Sequence, residues 1–302
     1  MSSDARNSDL RARLTSDGFL LLAAVIWGGG FVAQRMASFH LGFFGFNGVR
    51  FLIGGLALLP FIYKRLHTNT GGFGWVLLAG SILFGASALQ QAGLETTSAG
   101  SAGFITGVYV VLVPILLSLF WRQRTSPYTW IAAVAALGGT YLLSTGGTGL
   151  KPSSGDLLVL AGSFVWALHV IVVGQAVQKM DVFVFSAGQF LVCGLIHLVM
   201  SLFVEPVTLP ALRASWLPLL YAGLLSVALG FTFQSIGQKK APASDAALIL
   251  SLEAVFAAIA GVIFLHEGMN PVQIIGCAII LAAILSAQLI VLKKRGGNLP
   301  QG

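Results

Sequence analysis

The sequence predicts an all-α integral membrane protein of ten transmembrane helices built as two inverted five-helix repeats, and three observations carry that prediction. Of its 302 residues 56% are hydrophobic and only 9% charged, against roughly 25% charged in an average soluble domain. The apolar residues gather into ten stretches of about 20 residues, the length in which a helix crosses a ~30 Å hydrocarbon layer. Finally, the second half of the chain repeats the first.

Taken in order, residues 1–16 are polar, carry Arg6, Arg11 and Arg13, and read as a cytoplasmic N-terminal tail. They hold no apolar core followed by small residues, so no removable signal is expected. Spans at 17–37, 42–63, 74–94, 97–120 and 127–145 form the first repeat, 17–145. Residues 146–155 form a periplasmic linker, and spans at 156–177, 182–203, 214–236, 244–265 and 271–292 form the second repeat, 156–292. Residues 293–302 are a cytoplasmic C-terminal tail. Cys193 and Cys277 both fall inside spans and read as small apolar fillers rather than metal ligands.

Charge sets the orientation. With the N-terminus inside, thirteen of the 17 Lys and Arg lie on the cytoplasmic side: Arg6, Arg11, Arg13, Lys64, Arg65, Arg122, Arg124, Lys179, Lys239, Lys240, Lys293, Lys294 and Arg295. Three lie outside, Arg35, Lys151 and Arg213, and Arg50 is within the second span. This split satisfies the positive-inside rule and puts both termini in the cytoplasm. It also accounts for the net charge of +7 without nucleic acid, because no basic patch with interleaved aromatics exists.

The repeat has a readable register. At an offset of 139, Asp17 falls on Asp156, Trp27 on Trp166, and FGFNGVRFLIGG (Phe44 to Gly55) on FVFSAGQFLVCG (Phe183 to Gly194). At 144, Ala99, Gly103 and Gly107 meet Ala243, Ala247 and Ser251, and Pro127 meets Pro271. Five spans per half is an odd number, so the second half enters the membrane inverted, with a single site expected at the midplane between the halves. The small-residue triplets are expected to pack two helices closely, and Pro114 to kink the fourth span.

Trp27 and Trp166 sit at mid-span, whereas membrane tryptophans collect at the headgroup boundary. Either they face a cavity as aromatic surfaces for apolar or ammonium groups, or they pack between helices. Trp27, Phe31 and Gln34 share one helical face, as do Ser163, Trp166 and His169. Polar stripes run through Asn47 and Arg50, through Ser186, Gln189, Cys193 and His197, and through Gln90, Gln91 and Gln234. Such groups suit a zwitterionic cargo, and they also cross-link helices. The candidate binding set is Trp27, Phe31, Asn47, Gln90, Tyr109, Ser163, Trp166, His169, Gln234 and Ser251. Arg50 and Glu253 are the deepest charges, costing at least ~2.5 kcal/mol each if isolated. They either pair, or frame a wet cavity, or anchor and gate helices.

Enzyme signatures fail on context. Gly28, Gly29 and Gly30 mimic a dinucleotide loop but follow no strand. Ala99 to Gly103 mimics a nucleophile elbow without its strand and turn. No His and carboxylate cluster has metal-ligand spacing, no cofactor is implied, and no ring-forming pore motif indicates a channel.

IWGGGFVAQR (Ile26 to Arg35), Arg50 behind an aromatic run, and LSLEAVFAAIAGVIFLHEGMNPVQIIG (Leu250 to Gly276) resemble the EamA-type ten-helix members of the drug/metabolite transporter superfamily. Ala254 stands where that family often has Pro, and His266 where it often has Gly. The resemblance implies export of amino acids or similar small metabolites across a bacterial inner membrane by alternating access. A carrier of cationic drugs or nucleotide sugars on the same fold is the alternative. The expected partners are a small-molecule cargo and the bilayer, and a monomer is compatible with the sequence. The four-helix relatives couple through a first-helix carboxylate, and this chain has none between Asp17 and Arg35. Glu253 or His169 is left for proton coupling, or transport is passive.

Overall fold

In lipid a backbone must satisfy its polar groups internally, and among the described residues the chain does so entirely with helices. The computed structural model describes residues 3–63, 65, 72–97, 99–149, 153–266 and 268–297. Lys64, Lys151 and Glu267, with parts of the 146–155 linker and of the 293–302 tail, lie outside the described residues. For Arg6, Arg35, Ala99, Lys293, Lys294 and Arg295 only the backbone is described.

The first repeat comprises α1 (Ser3–Ala37), α2 (Phe43–Ile62), α3 (Phe73–Gly93), a two-piece rod of α4 (Ala99–Gly107) and α5 (Tyr109–Phe120), and α6 (Pro127–Thr145). The second begins with α7 (Ser154–Ala176) and α8 (Val182–Val204). After the short α9 (Leu209–Ala214) comes a composite rod of α10 (Trp216–Leu220), a π-helical stretch (Tyr221–Phe231) and α11 (Thr232–Gly237). The two-piece α12 (Ala243–Leu250) and α13 (Glu253–Leu265), then α14 (Pro271–Gly297), complete it.

Among the described residues nine helical rods are long and apolar enough to cross a membrane. The tenth rod, α6, has 19 residues, and its Thr, Tyr and Gly make it less apolar. It packs lengthwise on α14, where Gly139 and Gly276 face each other. A Cβ on either would come within 2.7 and 2.5 Å, respectively, of the other's carbonyl oxygen, so only glycine permits this approach. Gln273 Nε2 donates to the Leu143 carbonyl at 3.1 Å and Asn270 Nδ2 to that of Gly146 at 3.0 Å, closing the same pair.

Two features depart from the sequence reading. Residues expected as a polar tail are the opening turns of α1, which runs unbroken from Ser3 and carries Arg13 into the interior at 1% exposure. The two glycines of the first small-residue triplet make no tight contact: a Cβ on Gly103 would meet nothing within 4 Å, and one on Gly107 only Thr140 at 3.5 Å. Close approach falls instead at Gly28 against α13, Gly93 against Gly155, and Gly139 against Gly276.

The interruptions of the two-piece rods are matched. The first lies at Val108, the second at Ser251–Leu252, and an offset of 144 maps Val108 onto Leu252. At both, bonds tighten locally to i→i−3, Val108 N to Ile105 O at 3.2 Å and Leu252 N to Ile249 O at 3.1 Å. The break lies upstream of Pro114, which α5 carries in its interior. Two main apolar clusters flank the middle of the bundle, one from α1, α5–α7 and α12–α14, the other from α2, α3, α7, α8 and the π-helical stretch. Trp27 and Trp166 pack against both.

Candidate functional site

Between those clusters lies a cavity lined by Trp27, Phe31, Gln34, Arg50, Gln90, Thr106, Tyr109, Trp166, Val170, Ser226, Phe231, Gln234, Leu250 and Glu253. The last turns of α1 supply residues 27, 31 and 34, and below them Leu20, Ala23 and Ala24 are completely buried.

The lining obeys the sequence repeat. The 139 offset relates Trp27 to Trp166 and Phe31 to Val170; the 144 offset relates Gln90 to Gln234, Thr106 to Leu250 and Tyr109 to Glu253. Ten of the fourteen lining residues thus form five pairs, so the pseudo-two-fold axis passes through the cavity. Gln34, Arg50, Ser226 and Phe231 lie outside these pairs. The two charges break the symmetry: Glu253 is matched by a phenol, and Arg50 by Gln189 outside the lining.

Each wall is held from behind. Trp27 Nε1 donates to the Ser226 carbonyl at 3.0 Å, and its ring lies 4.6 Å from Phe231. Trp166 stacks on Phe231 at 6.0 Å and meets His169 edge-on at 5.8 Å, with its Nε1 buried and unpartnered. Gln90 Nε2 donates to Thr106 Oγ1 at 3.1 Å. Gln234 Nε2 donates to Gln238 Oε1 at 3.0 Å, and Gln238 Nε2 to the Val170 carbonyl at 2.8 Å. Tyr109 and Glu253 each open the second piece of a broken rod, and both face the cavity.

Arg50 is held without an anion. Its guanidinium carbon lies 5.0 Å from the centroid of Phe46 and 4.9 Å from that of Phe51, and Nε is buried without a hydrogen-bond partner. Among the described residues no carboxylate stands within ion-pair distance of Arg50, and no cation within that distance of Glu253. Of the sequence alternatives, direct pairing is absent: both charges face one cavity separately.

Four candidate residues do not line the cavity. Asn47 is buried and donates to the Ser87 carbonyl at 3.3 Å, and Ser163 donates to Leu160 at 2.7 Å. Ser251 donates to Leu248 at 2.7 Å, inside the second helix break. His169 bonds Gln189 Oε1 through Nε2 at 3.0 Å and acts from behind Trp166. A buried knot of Ser87, His197 and the rings of Phe44, Phe51 and Phe84 fills the space behind Arg50, with Ser87 Oγ 2.9 Å from His197 Nε2. In the opposite direction, Gln34 was on a recognised stripe, and Thr106, Leu250 and Val170 become visible only when the repeat register is applied residue by residue. Ser226 and Phe231 had no signal, because a π-helical stretch turns its side chains out of the 3.6-residue register. No group of three potential metal ligands occurs among the described residues.

An inverted repeat, matched broken helices and a polar, aromatic cavity on the pseudo-axis are the architecture of a secondary transporter. The chain belongs to the EamA-like transporter family, whose profile matches twice, over residues 14–145 and 153–287, once per half. It is 31% identical to an uncharacterized transporter of Archaeoglobus fulgidus over 92% of this chain and 87% of that one. It is 28% identical to the threonine/homoserine exporter RhtA of Escherichia coli K12, over 91% of each. A solved crystal structure superimposes with a TM-score of 0.80 at 19% identity, over 93% of this chain and 99% of its own, a likeness of fold. The chain is therefore a multi-pass membrane protein of a transporter family.

Proposed function

We propose that this protein exports small zwitterionic metabolites, amino acids foremost, across a bacterial inner membrane by alternating access around the central cavity. The observation that carries the reading is the pair of separated charges in one aromatic cavity: Arg50 for a carboxylate, and Glu253 for an ammonium group. Planar guanidinium suits a carboxylate bidentately, while Trp27, Phe31, Trp166 and Phe231 offer rings to the apolar part of the cargo or its cation. Each charge is satisfied when the cargo arrives, which offsets the cost of holding it in hydrocarbon. Outward direction rests on the relation to RhtA, and cytoplasmic termini on the distribution of Lys and Arg. The binding set is the cavity lining, with Asn47, Ser163, His169 and Ser251 acting behind it.

The test is counterflow of a labelled amino-acid mixture in liposomes containing the purified protein, with Trp27→Ala and Trp166→Ala alongside. Saturable exchange, lost in both variants, supports the reading. Arg50→Gln then separates the two charges: it weakens amino acids and leaves the corresponding decarboxylated amines unaffected. Absence of exchange for every amino acid, with uptake of organic cations, replaces it with the cationic-drug reading, for which Glu253 within an aromatic cage is the favouring feature.

A further inference from the structure

At the N-terminal end of the bundle Arg13 is 1% exposed, and its guanidinium is divided among three groups. Nε meets the Asp17 carboxylate at 3.0 Å one turn along α1, Nη2 meets Asp245 at 2.9 Å, and Nη1 donates to the Lys240 carbonyl at 3.2 Å. Asp245 lies in the first turn of α12 and Lys240 in the loop before it. A first-repeat side chain therefore grips the start of the second repeat's broken rod. Gln178 holds the same loop to the end of α7, donating to the Lys239 carbonyl at 3.1 Å. Between this knot and the cavity, Leu20, Ala23 and Ala24 are fully buried, and Gly237 admits Leu20 so closely that a Cβ would lie 2.6 Å from its Cγ.

The inverted repeat supplies the comparison. Asp17 maps onto Asp156, at the start of α7 on the opposite end. There the carboxylate takes Ser153 N at 2.9 Å, Ser153 Oγ at 3.1 Å and Thr97 Oγ1 at 3.0 Å, and no cation among the described residues pairs with it. Alternating access exchanges the roles of such related junctions. One is tied by a buried three-way ion pair and the other by hydroxyls, so the two ends differ in what opening them requires.

We propose that Arg13, Asp17 and Asp245 form the latch of the cytoplasmic gate, which holds the cavity shut on the N-terminal side and must part before cargo enters from that side. Parting separates α1 from the start of α12, and the groups lie near the helix end, where water can take over their partners. Arg13 acts on the distribution between the two access states and touches no cargo, so its effect is read without knowing the cargo.

The test is accessibility. In a chain with Cys193→Ala and Cys277→Ala, Ser226→Cys places one thiol in the cavity wall. A membrane-impermeant maleimide is added to inside-out or right-side-out vesicles. With Arg13 present, labelling should come from the side opposite the N-terminus. Arg13→Ala or Asp245→Asn should raise labelling through the N-terminal side by about tenfold or more, the response of a two-state equilibrium whose closed state loses a buried contact. The exchange Arg13→Asp with Asp245→Arg should restore the parental rate. Unchanged labelling in folded single variants, or a swap that stays open, overturns the latch. Where single variants do not fold, Arg13→Cys with Asp245→Cys, bridged by a cleavable bifunctional maleimide, decides: exchange must stop on bridging and return on cleavage, and undiminished exchange while bridged refutes it.

Discussion

Adding one methyl group to α1 should have opposite effects at two positions ten residues apart. A Cβ at Gly28 would lie 2.5 Å from Phe256 Cβ and 2.7 Å from both Ala257 N and the Phe256 carbonyl carbon, in α13. Ordinary contact begins near 3.4 Å, so the pair is about 0.9 Å short of room, and two of the three atoms are backbone that cannot rotate away. Helix α13 must move as a body, displacing Glu253, one turn before Phe256, from its place in the cavity wall. Overpacking of this kind costs about 1–3 kcal/mol. At Gly18 a Cβ meets nothing within 4 Å, and removing a helical glycine gains about 0.5–1 kcal/mol. Thermal aggregation in detergent, followed by size-exclusion chromatography, should rank Gly18→Ala above the parent and Gly28→Ala below it. Counterflow should weaken in Gly28→Ala alone. A Gly28→Ala protein as stable and active as the parent would show that α1 and α13 are not locked at this distance.

Further outcomes follow from single contacts. A Cβ on Gly29 would strike the Tyr221 hydroxyl, which donates to the Ile26 carbonyl at 2.8 Å; Gly29→Ala should therefore be better tolerated with Tyr221→Phe, a non-additive double-mutant cycle in melting temperature. His266 ends α13 at φ +54°, the left-handed position that favours glycine. His266→Gly should stabilise by up to about 1 kcal/mol, seen as a raised melting temperature, and no rise would mean that the ring makes a compensating contact. Glu205 accepts from the Phe44 and Gly45 amides at the start of α2. Glu205→Ala should cost about 0.5–2 kcal/mol of stability, measured by the same melt, with cargo affinity in counterflow unchanged. Trp27→Phe keeps the ring but loses the bond to Ser226, so its exchange should fall between that of the parent and that of Trp27→Ala.

The architecture was legible because it is written in composition and period. Lipid demands long apolar runs, and an odd number of them per repeat dictates inversion. Site residues were legible where they repeat: Trp27 with Trp166, and Gln90 with Gln234, announce themselves by equal spacing. Asn47 and Ser163 looked equally suitable, yet Asn47 turns its amide onto the Ser87 carbonyl of α3, a choice that depends on which helix stands beside it, and Ser163 turns its hydroxyl back onto Leu160 of its own helix. The contribution of Ser226 and Phe231 was hidden by the wider winding of the Tyr221–Phe231 stretch. Arg13 was assigned to a solvated tail because a charge near a terminus normally is solvated; nothing local in sequence announces Asp245 as its partner 232 residues away.

Under the proposed function, a wall built of matched halves has a consequence for handover. Cargo leaving toward either mouth parts from the same kinds of surface, an indole here and an indole there, an amide here and an amide there. The passage therefore needs no deep trough of its own on one side, and neither direction is favoured by those pairs. What differs between head and tail of a zwitterionic cargo would be felt most at the guanidinium and the carboxylate. On that reading they fix which way round a molecule lies while the helices about it change places.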